Sequence, residues 1–502
     1  MNLKIKPQRS FLNSLKWAYT ANWGERAFSA LFMFILAALL GPRDFGLISI
    51  ALIYVLFLQM FLDQGLATAL IQRKDLEQEH LDAVFWMDLG LSLVLLLVSV
   101  VFGRWWAKLN HAPEAAMIIS VISISIVVEA LSVVQTALLR RQMDFRSLSI
   151  RTNASVLLSG VVGIGMALAG FRVWALVAQQ LVRDLTALVL LWKLSSWRPR
   201  FEFSWKHLKD LLDFSIPNFM AQLANFTDVQ ASSILLGLLF GPIALGLYRL
   251  ADRFANCVVV MATSSIQAVS LPEFSRLQDD PAELKKSALS CIRLSSAITL
   301  PALAGLAAIS GPLMALVGEQ WAPASNVLKI LCFMSMSIIF AFFTGPLMQA
   351  LARTREVAIL EWSRTAVGVL LLVVAGYLVR GHSVNWQIMA IALARFANGV
   401  FIVTPVFLYI LTRLCGISFR ELMPSVVPSF VSSASVVGIV TLVHYFVIPV
   451  NGRPIISLAL EVVAGSIVGL AVLLHLDVSL RGSLTTMLQR TLKVRLVPSE
   501  AE

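Results

Sequence analysis

The sequence predicts an all-α integral membrane protein of about fourteen transmembrane helices, and three observations carry that prediction. Of the 502 residues, 58% are hydrophobic and only 14% charged, with a mean hydropathy of +0.81. A water-soluble domain of this length needs far more polar surface to cover its core. Apolar stretches of the roughly 20 residues needed to cross hydrocarbon recur along the whole chain. The short loops between them also alternate between basic and nearly neutral, as the positive-inside rule requires.

The spans are expected near residues 14–40, 45–71, 83–107, 114–138, 152–170, 172–194, 213–239, 243–270, 287–316, 323–351, 357–379, 384–411, 425–447 and 454–475. Lys4, Lys6, Arg9 and Lys16 precede the first, which is interrupted by Asn22, Glu25 and Arg26. That is not the clean apolar core and small-residue cleavage site of a signal peptide, so the first helix is expected to be retained. Cys257, Cys291, Cys332 and Cys415 lie in or beside apolar segments without ligand spacing and read as packing residues.

With the N-terminus inside, the inner loops collect Arg73, Lys74, Arg140, Arg141, Arg146, Arg151, Lys193, Arg198, Arg200, Lys206, Lys209, Arg276, Lys285, Lys286, Arg353, Arg355, Arg413 and Arg420. The outer loops hold only Arg43, Arg104, Lys108, Arg172, Arg380 and Arg453. Both termini are therefore expected in the cytoplasm, and the net charge of +11 is a topology signal rather than a nucleic-acid footprint. The longest inner connection leaves room for an interfacial helix, with Trp197 and Trp205 at headgroup depth.

Two outer turns look alike. Leu40-Gly41-Pro42-Arg43-Asp44-Phe45-Gly46-Leu47 and Phe240-Gly241-Pro242-Ile243-Ala244-Leu245-Gly246-Leu247 share Gly-Pro, then Gly-Leu, 200 residues apart. Six spans separate them, which suggests a parallel repeat of two six-helix lobes around a central cavity. The expected organisation is a lobe at 1–194, a cytoplasmic linker at 195–212, a second lobe at 213–411, two additional helices at 412–476 and a cytoplasmic tail at 477–502.

Charges at bilayer depth cost about 2.5–3.5 kcal/mol each on insertion scales and need a partner or a watery cavity. The seventh span places Asn218, Gln222, Asn225, Asp228 and Ser232 on one helical face, and the eighth carries Arg249, Asp252, Arg253, Asn256, Thr263 and Gln267. Glu25, Arg26, Gln59 and Asp63 lie in the first two spans. A single Asn or Gln reads as interhelical glue, whereas two consecutive striped helices point to a hydrated cavity. Arg26, Arg249 and Arg253 present planar forks suited to phosphate oxygens, although Glu25 and Asp252 can also simply neutralise them. Asp88, Glu129, Arg183, Asp184, Arg293, Lys329, Arg395 and Glu461 lie deeper; Glu361 and Arg364 form an i,i+3 pair that reads as structural. The six histidines are scattered, no nucleophile has a partner, and no Gly-rich phosphate loop is present. Transport, not catalysis, is the expected activity.

Leu39-Leu40-Gly41-Pro42-x-x-Phe45-Gly46-Leu47, Asp63-Gln64-Gly65-Leu66-Ala67-Thr68-Ala69-Leu70-Ile71-Gln72-Arg73 and Arg140-Arg141-Gln142-Met143-Asp144-Phe145-Arg146 resemble the polysaccharide transporter family of the multidrug/oligosaccharidyl-lipid/polysaccharide flippase superfamily. The resemblance implies a Wzx-type flippase of the exopolysaccharide/lipopolysaccharide branch in a bacterial inner membrane. Its cargo would be an undecaprenyl-pyrophosphate-linked oligosaccharide, and a polysaccharide polymerase and export machinery would be its partners. On that basis Arg26, Arg249 and Arg253 are expected to hold pyrophosphate, and Asn218, Gln222, Asn225 and Gln267 sugar hydroxyls. Glu25, Asp63 or Asp228 would carry a coupling proton or sodium ion; no bound cofactor or metal is implied. A drug or cation antiporter of the same superfamily is the alternative.

Overall fold

The computed structural model describes residues 11–62, 66–72, 76–201, 215–351, 353–451, 454–477 and 480–482. Among them all regular structure is helical. The helices are α1 (Phe11–Leu39), α2 (Pro42–Gln59), α3 (Leu66–Gln72), α4 (Gln78–Leu109), α5 (Ala115–Ile122), α6 (Ile124–Ala130), α7 (Val133–Arg141), α8 (Phe145–Leu168), α9 (Val173–Leu194) and α10 (Ser215–Arg276). They continue as α11 (Pro281–Ala308), α12 (Ser310–Val317), α13 (Ala324–Ser337), α14 (Ala341–Ala350), α15 (Thr354–Leu378), α16 (Val384–Asn398), α17 (Thr404–Cys415), α18 (Phe419–Asn451) and α19 (Pro454–Leu476).

By length and composition, ten described helical stretches can cross a membrane, α16 and α17 counting as one run through the π-helical segment Gly399–Val403, or eleven with the bent group Ala115–Ala130 plus Val133–Arg141 taken as one span. The fourteen apolar stretches of the sequence do not map one to one onto these helices. Α10 holds two expected spans in 62 residues joined at Gly241. Within the expected second span α2 ends at Gln59 and a turn follows at residues 60–62, and the tenth is divided between α13 and α14 by the 3-10 turn Ile338–Phe340. Hydropathy runs through such breaks because the residues stay apolar while the helix does not continue.

The chain forms two compact units, one of residues 1–251, 317–324 and 361–394 and the other of residues 252–316, 325–360 and 395–502. In the first, α1 and α9 flank α8. Small residues permit this approach: Gly160 lies under the Phe32 ring, Gly24 against Asn153 and Gly163 against Gln179. A buried cluster of Leu66, Leu70, Leu81, Phe85, Val134, Leu138 and Trp197 joins α3, α4 and α7. Trp197 is buried edge-on against Phe85, 5.7 Å between ring centroids. Trp205 and the remainder of the linker from 202 to 214 lie outside the described residues.

The two Gly-Pro turns belong to this unit and meet each other. Gly41 is extended at φ −91°, whereas Gly241 has φ +80°, a conformation L side chains rarely adopt. A Cβ on Gly46 would collide with the Pro242 carbonyl oxygen, and one on Gly246 with that of Pro42. The carbonyls that each turn frees find side-chain donors: Gln320 Nε2 donates to Leu40 O at 3.2 Å, Trp321 Nε1 to Ala37 O at 2.8 Å, and the His111 ring lies 3.1 Å from Leu238 O.

In the second unit α18 packs on both α11 and α19. Ser432 Oγ donates to Gly469 O at 2.7 Å, and a Cβ on Gly469 would lie 2.6 Å from Val436 Cγ2. Lys285 Nζ sits 2.6 Å from Glu421 Oε1 and ties α11 to α18. Cys332 and Cys415 are buried, while Cys257 and Cys291 are half-buried.

Gly469→Leu is expected to force α19 away from α18 and lower stability by about 1–3 kcal/mol, the usual range for overpacking. Thermal unfolding in detergent checks this, and an unchanged midpoint would show that the pair repacks freely. A second expectation concerns Glu114, which lies just before α5 and outside the spans. Arg43 Nε donates to Glu114 Oε1 at 3.0 Å, and this hydrogen bond holds the Glu114 carboxyl below its ordinary range. A lowered carboxylate stabilises the fold above the unfolded value and loses that contribution as pH falls through the folded one. Since the pair is largely exposed, the effect is screened to a few tenths of a kcal/mol. The small midpoint difference between wild type and Arg43→Ala near neutral pH should therefore disappear on acidification.

Candidate functional site

Α1, α2, α6, α7, α8, α9 and the first leg of α10 surround a cavity of about 990 Å³ within the first unit. Three carboxylates, Glu25, Glu129 and Asp184, and three guanidinium groups, Arg140, Arg151 and Arg183, border it. Ser125, Ser132, Thr136, Thr152, Ser155, Gln59, Gln180, Gln222, Asn225 and Gln230 supply neutral donors and acceptors around them. Formal charge is balanced, but the individual charges are held very differently.

Arg183 Nη2 lies 2.6 Å from Glu25 Oε1, a pair between α9 and α1. Asp184, its sequence neighbour, accepts only neutral donors: Ser125 Oγ at 2.5 Å and Gln180 Nε2 at 3.1 Å. Arg151 Nη1 donates to Thr136 Oγ1 at 3.1 Å. Glu129 and Glu25 attract the Arg151 guanidinium while Arg140 and Arg183 repel it, and its buried Nε has no hydrogen-bond partner. An unsatisfied donor on a buried cation is costly unless a ligand or water completes it. The arrangement thus offers an anion a partly satisfied guanidinium fork, with hydroxyls and amides arrayed beside it.

Gln222 and Asn225 of the polar stripe do face the cavity, as does Glu25. Arg26 is half-buried beside Glu25 but outside the lining. Arg249 lies behind the wall, donating through Nη1 to Gln230 Oε1 at 3.3 Å and Ser233 Oγ at 3.5 Å. Arg253 and Gln267 belong to the second unit, the former exposed and the latter half-buried. Asp228 accepts from Arg364 Nη2 at 3.0 Å, and the same nitrogen lies 2.6 Å from Glu361 Oε2, so the i,i+3 pair is in fact a triad. Asp63 and the Asn218 side chain lie outside the described residues.

Sequence reasoning put Arg140 and Arg151 in an inner loop, and the structure places both on the cavity wall. A signal for Arg151 was available. It lies well inside α8, followed by Thr152, Ser155 and Ser159, a polar beginning to an otherwise apolar helix. Arg140 carries no such mark, being one of two arginines at the end of α7.

An all-helical, multi-span chain enclosing a charge-balanced polar cavity has the general build of a membrane transporter. More specifically, the chain belongs to the polysaccharide biosynthesis protein family, whose profile matches residues 35–326. It is 31% identical over 324 residues to the succinoglycan biosynthesis transport protein ExoT of Rhizobium meliloti, covering 64% of this chain and 66% of that one. The match therefore spans just under two thirds of that relative's length. The lipopolysaccharide biosynthesis protein WzxC of Escherichia coli is 24% identical over 349 residues, 68% of this chain and 70% of that one. Among solved structures, the lipid II flippase MurJ in an inward closed conformation superposes with a TM-score of 0.71 at 14% identity, over 91% of this chain and 97% of that one. At that identity the likeness is one of fold.

Arg183→Ala is expected to lower the unfolding midpoint more than the double variant Glu25→Gln/Arg183→Gln, because the single change leaves a carboxylate facing the cavity without its cation. Equal midpoints would mean that the pair is not coupled.

Proposed function

We propose that the protein carries a polyprenyl-pyrophosphate-linked oligosaccharide repeat unit, with undecaprenyl as the lipid, from the cytoplasmic to the periplasmic leaflet of a bacterial inner membrane. The observation that carries this reading is the polar cavity with three arginines inside a bundle of apolar helices. A sugar pyrophosphate cannot enter hydrocarbon unaided, since each charged or hydroxylated group would lose its water without replacement. Here Arg140 and Arg151 would receive the pyrophosphate, aided by Arg183, while Gln222, Asn225 and the Ser/Thr wall bond sugar hydroxyls. The lipid tail stays in the bilayer throughout.

The family name and the transport and biosynthesis names of the relatives favour a polysaccharide precursor as cargo. The basic inner loops favour cytoplasmic termini, which places the Gly-Pro turns on the periplasmic side. Movement is by alternating access of two repeats, as in other transporters built from parallel repeats. Glu25, Asp63 or Asp228 would couple it to a proton or sodium gradient. Arg26, Arg249, Arg253, Asn218 and Gln267 complete the substrate path in other stages of the cycle. Polymerase and export machinery would act on the flipped product.

Arg140→Ala/Arg151→Ala is expected to reduce polymer export at least tenfold with folded protein still in the membrane, and lipid-linked oligosaccharide should accumulate on the cytoplasmic face. Normal export in that variant would exclude the cavity as the cargo site. Unchanged polymer combined with new sensitivity to cationic drugs would replace the flippase by an antiporter.

A further inference from the structure

The wall of the polar cavity is not uniform along its length. Arg140 lies in the last turn of α7 and Arg151 six residues beyond the start of α8, so both stand near the turn joining these helices. The helices α8 and α9 pack along each other and are joined by the short turn at 169–172. The start of α8 and the end of α9 therefore lie at the same end of the hairpin. Asp184 is ten residues before the end of α9. At the helical rise, Arg151 is about 9 Å and Asp184 about 15 Å from that end. The cavity thus has a cationic part and, about 6 Å deeper, a part bordered by Asp184.

Ser125 Oγ donates to Asp184 Oδ2 at 2.5 Å, and Gln180 Nε2 lies 3.1 Å from both carboxylate oxygens. Both oxygens accept, as those of an ionised carboxyl do, and Oδ1 has capacity for a further donor. Among the described residues, the cation that acts on Asp184 is Arg183, whose Nη2 is committed to Glu25 at 2.6 Å. The charges acting on Arg151 are those of Glu129, Arg140, Glu25 and Arg183, not that of Asp184. The Asp184 carboxylate is therefore fixed in place by neutral donors and left with its charge uncovered. Such a group is a strong acceptor for sugar hydroxyls and a poor neighbour for a second carboxylate. Two acceptor-only groups cannot hydrogen-bond each other, and their repulsion grows away from bulk water.

We infer that Asp184, positioned by Ser125 and Gln180, sets the specificity of the cavity for the sugar attached to the pyrophosphate: a neutral hexose is accepted and a hexuronate rejected. The inference rests on the cargo proposed above and adds the class of its first sugar. With the pyrophosphate on Arg140 and Arg151, the first ring falls at the depth of Asp184. There a neutral hexose donates a hydroxyl to Oδ1, whereas a hexuronate brings a carboxylate to the same place. No cavity arginine is left to neutralise it, since two hold phosphate and Arg183 holds Glu25. Selection comes from a charge that the wrong cargo leaves unpaired, a general route to specificity.

The test uses the full-length protein purified in detergent and two probes built on farnesyl pyrophosphate, one carrying glucose and the other glucuronate. Their dissociation constants are measured by calorimetry in mildly alkaline buffer. Wild type is expected to bind the glucose probe at least tenfold more tightly. Asp184→Asn should bring that ratio below about threefold, by tightening the glucuronate probe rather than by losing the glucose probe. Arg151→Ala should weaken both probes together and leave the ratio unchanged, which separates phosphate binding from sugar selection. Equal binding of the two probes by wild type, or an undiminished ratio in Asp184→Asn, overturns the inference and leaves the cargo reading standing. Absence of binding by either probe, or binding indifferent to Arg140→Ala/Arg151→Ala, removes the cargo reading and the inference together. Should Asp184→Asn fail to fold, Asp184→Ser decides in its place by the same ratio.

Discussion

Hydrocarbon neither hydrogen-bonds a backbone nor solvates a charge, and most features of this protein answer to that constraint. Helices satisfy their own backbone groups, so the trouble is concentrated where they stop. At the Gly41-Pro42 turn the freed carbonyls of Ala37 and Leu40 are taken by Trp321 and Gln320. At the end of α3, Arg141 Nη1 donates to Leu70 O at 2.9 Å. At these two breaks the freed carbonyls are thus matched by donors brought from a distant part of the chain. These donors account for much of the specificity of a fold whose surfaces are otherwise uniformly greasy.

The same constraint sorts the charges. Some are tied off in pairs and triads that bind helices together: Asp228, Glu361 and Arg364 in the first unit, and Lys285 with Glu421 in the second. A further pair, buried Glu461 with exposed His444 at 2.8 Å, joins α18 to α19. Others are gathered around one cavity, where Glu25 and Arg183 neutralise each other but Arg151 keeps an unfilled donor and Asp184 has only neutral partners. The cavity is where the first unit gathers three arginines and three carboxylates around one open space.

Close helix packing in lipid draws little help from the hydrophobic effect, since lipid tails are as apolar as leucine. Glycine therefore sets how near two helices come. Gly160 and Gly24 bring α8 to α1, and Gly469 brings α19 to α18. At Gly46 and Gly246 the same device joins backbones without side-chain interlock.

The sequence by itself determined the membrane setting, the helical class, the resemblance to a polysaccharide transporter family and the likeness of the two Gly-Pro turns. Composition, period and turn chemistry are local quantities, readable along the chain. It also marked Glu25, Gln222 and Asn225 as polar residues that lipid would not tolerate, and these line the cavity. Tertiary structure alone decided that Arg140, Arg151 and Arg183 supply the cavity's cations, that Arg249 stands behind its wall, and that Trp197 is core. It also decided where apolar stretches break into shorter helices. The physical reason is the same in each case. Hydropathy records how much a residue dislikes lipid, whereas the fate of a charge depends on which partners the fold brings within about 3 Å of it.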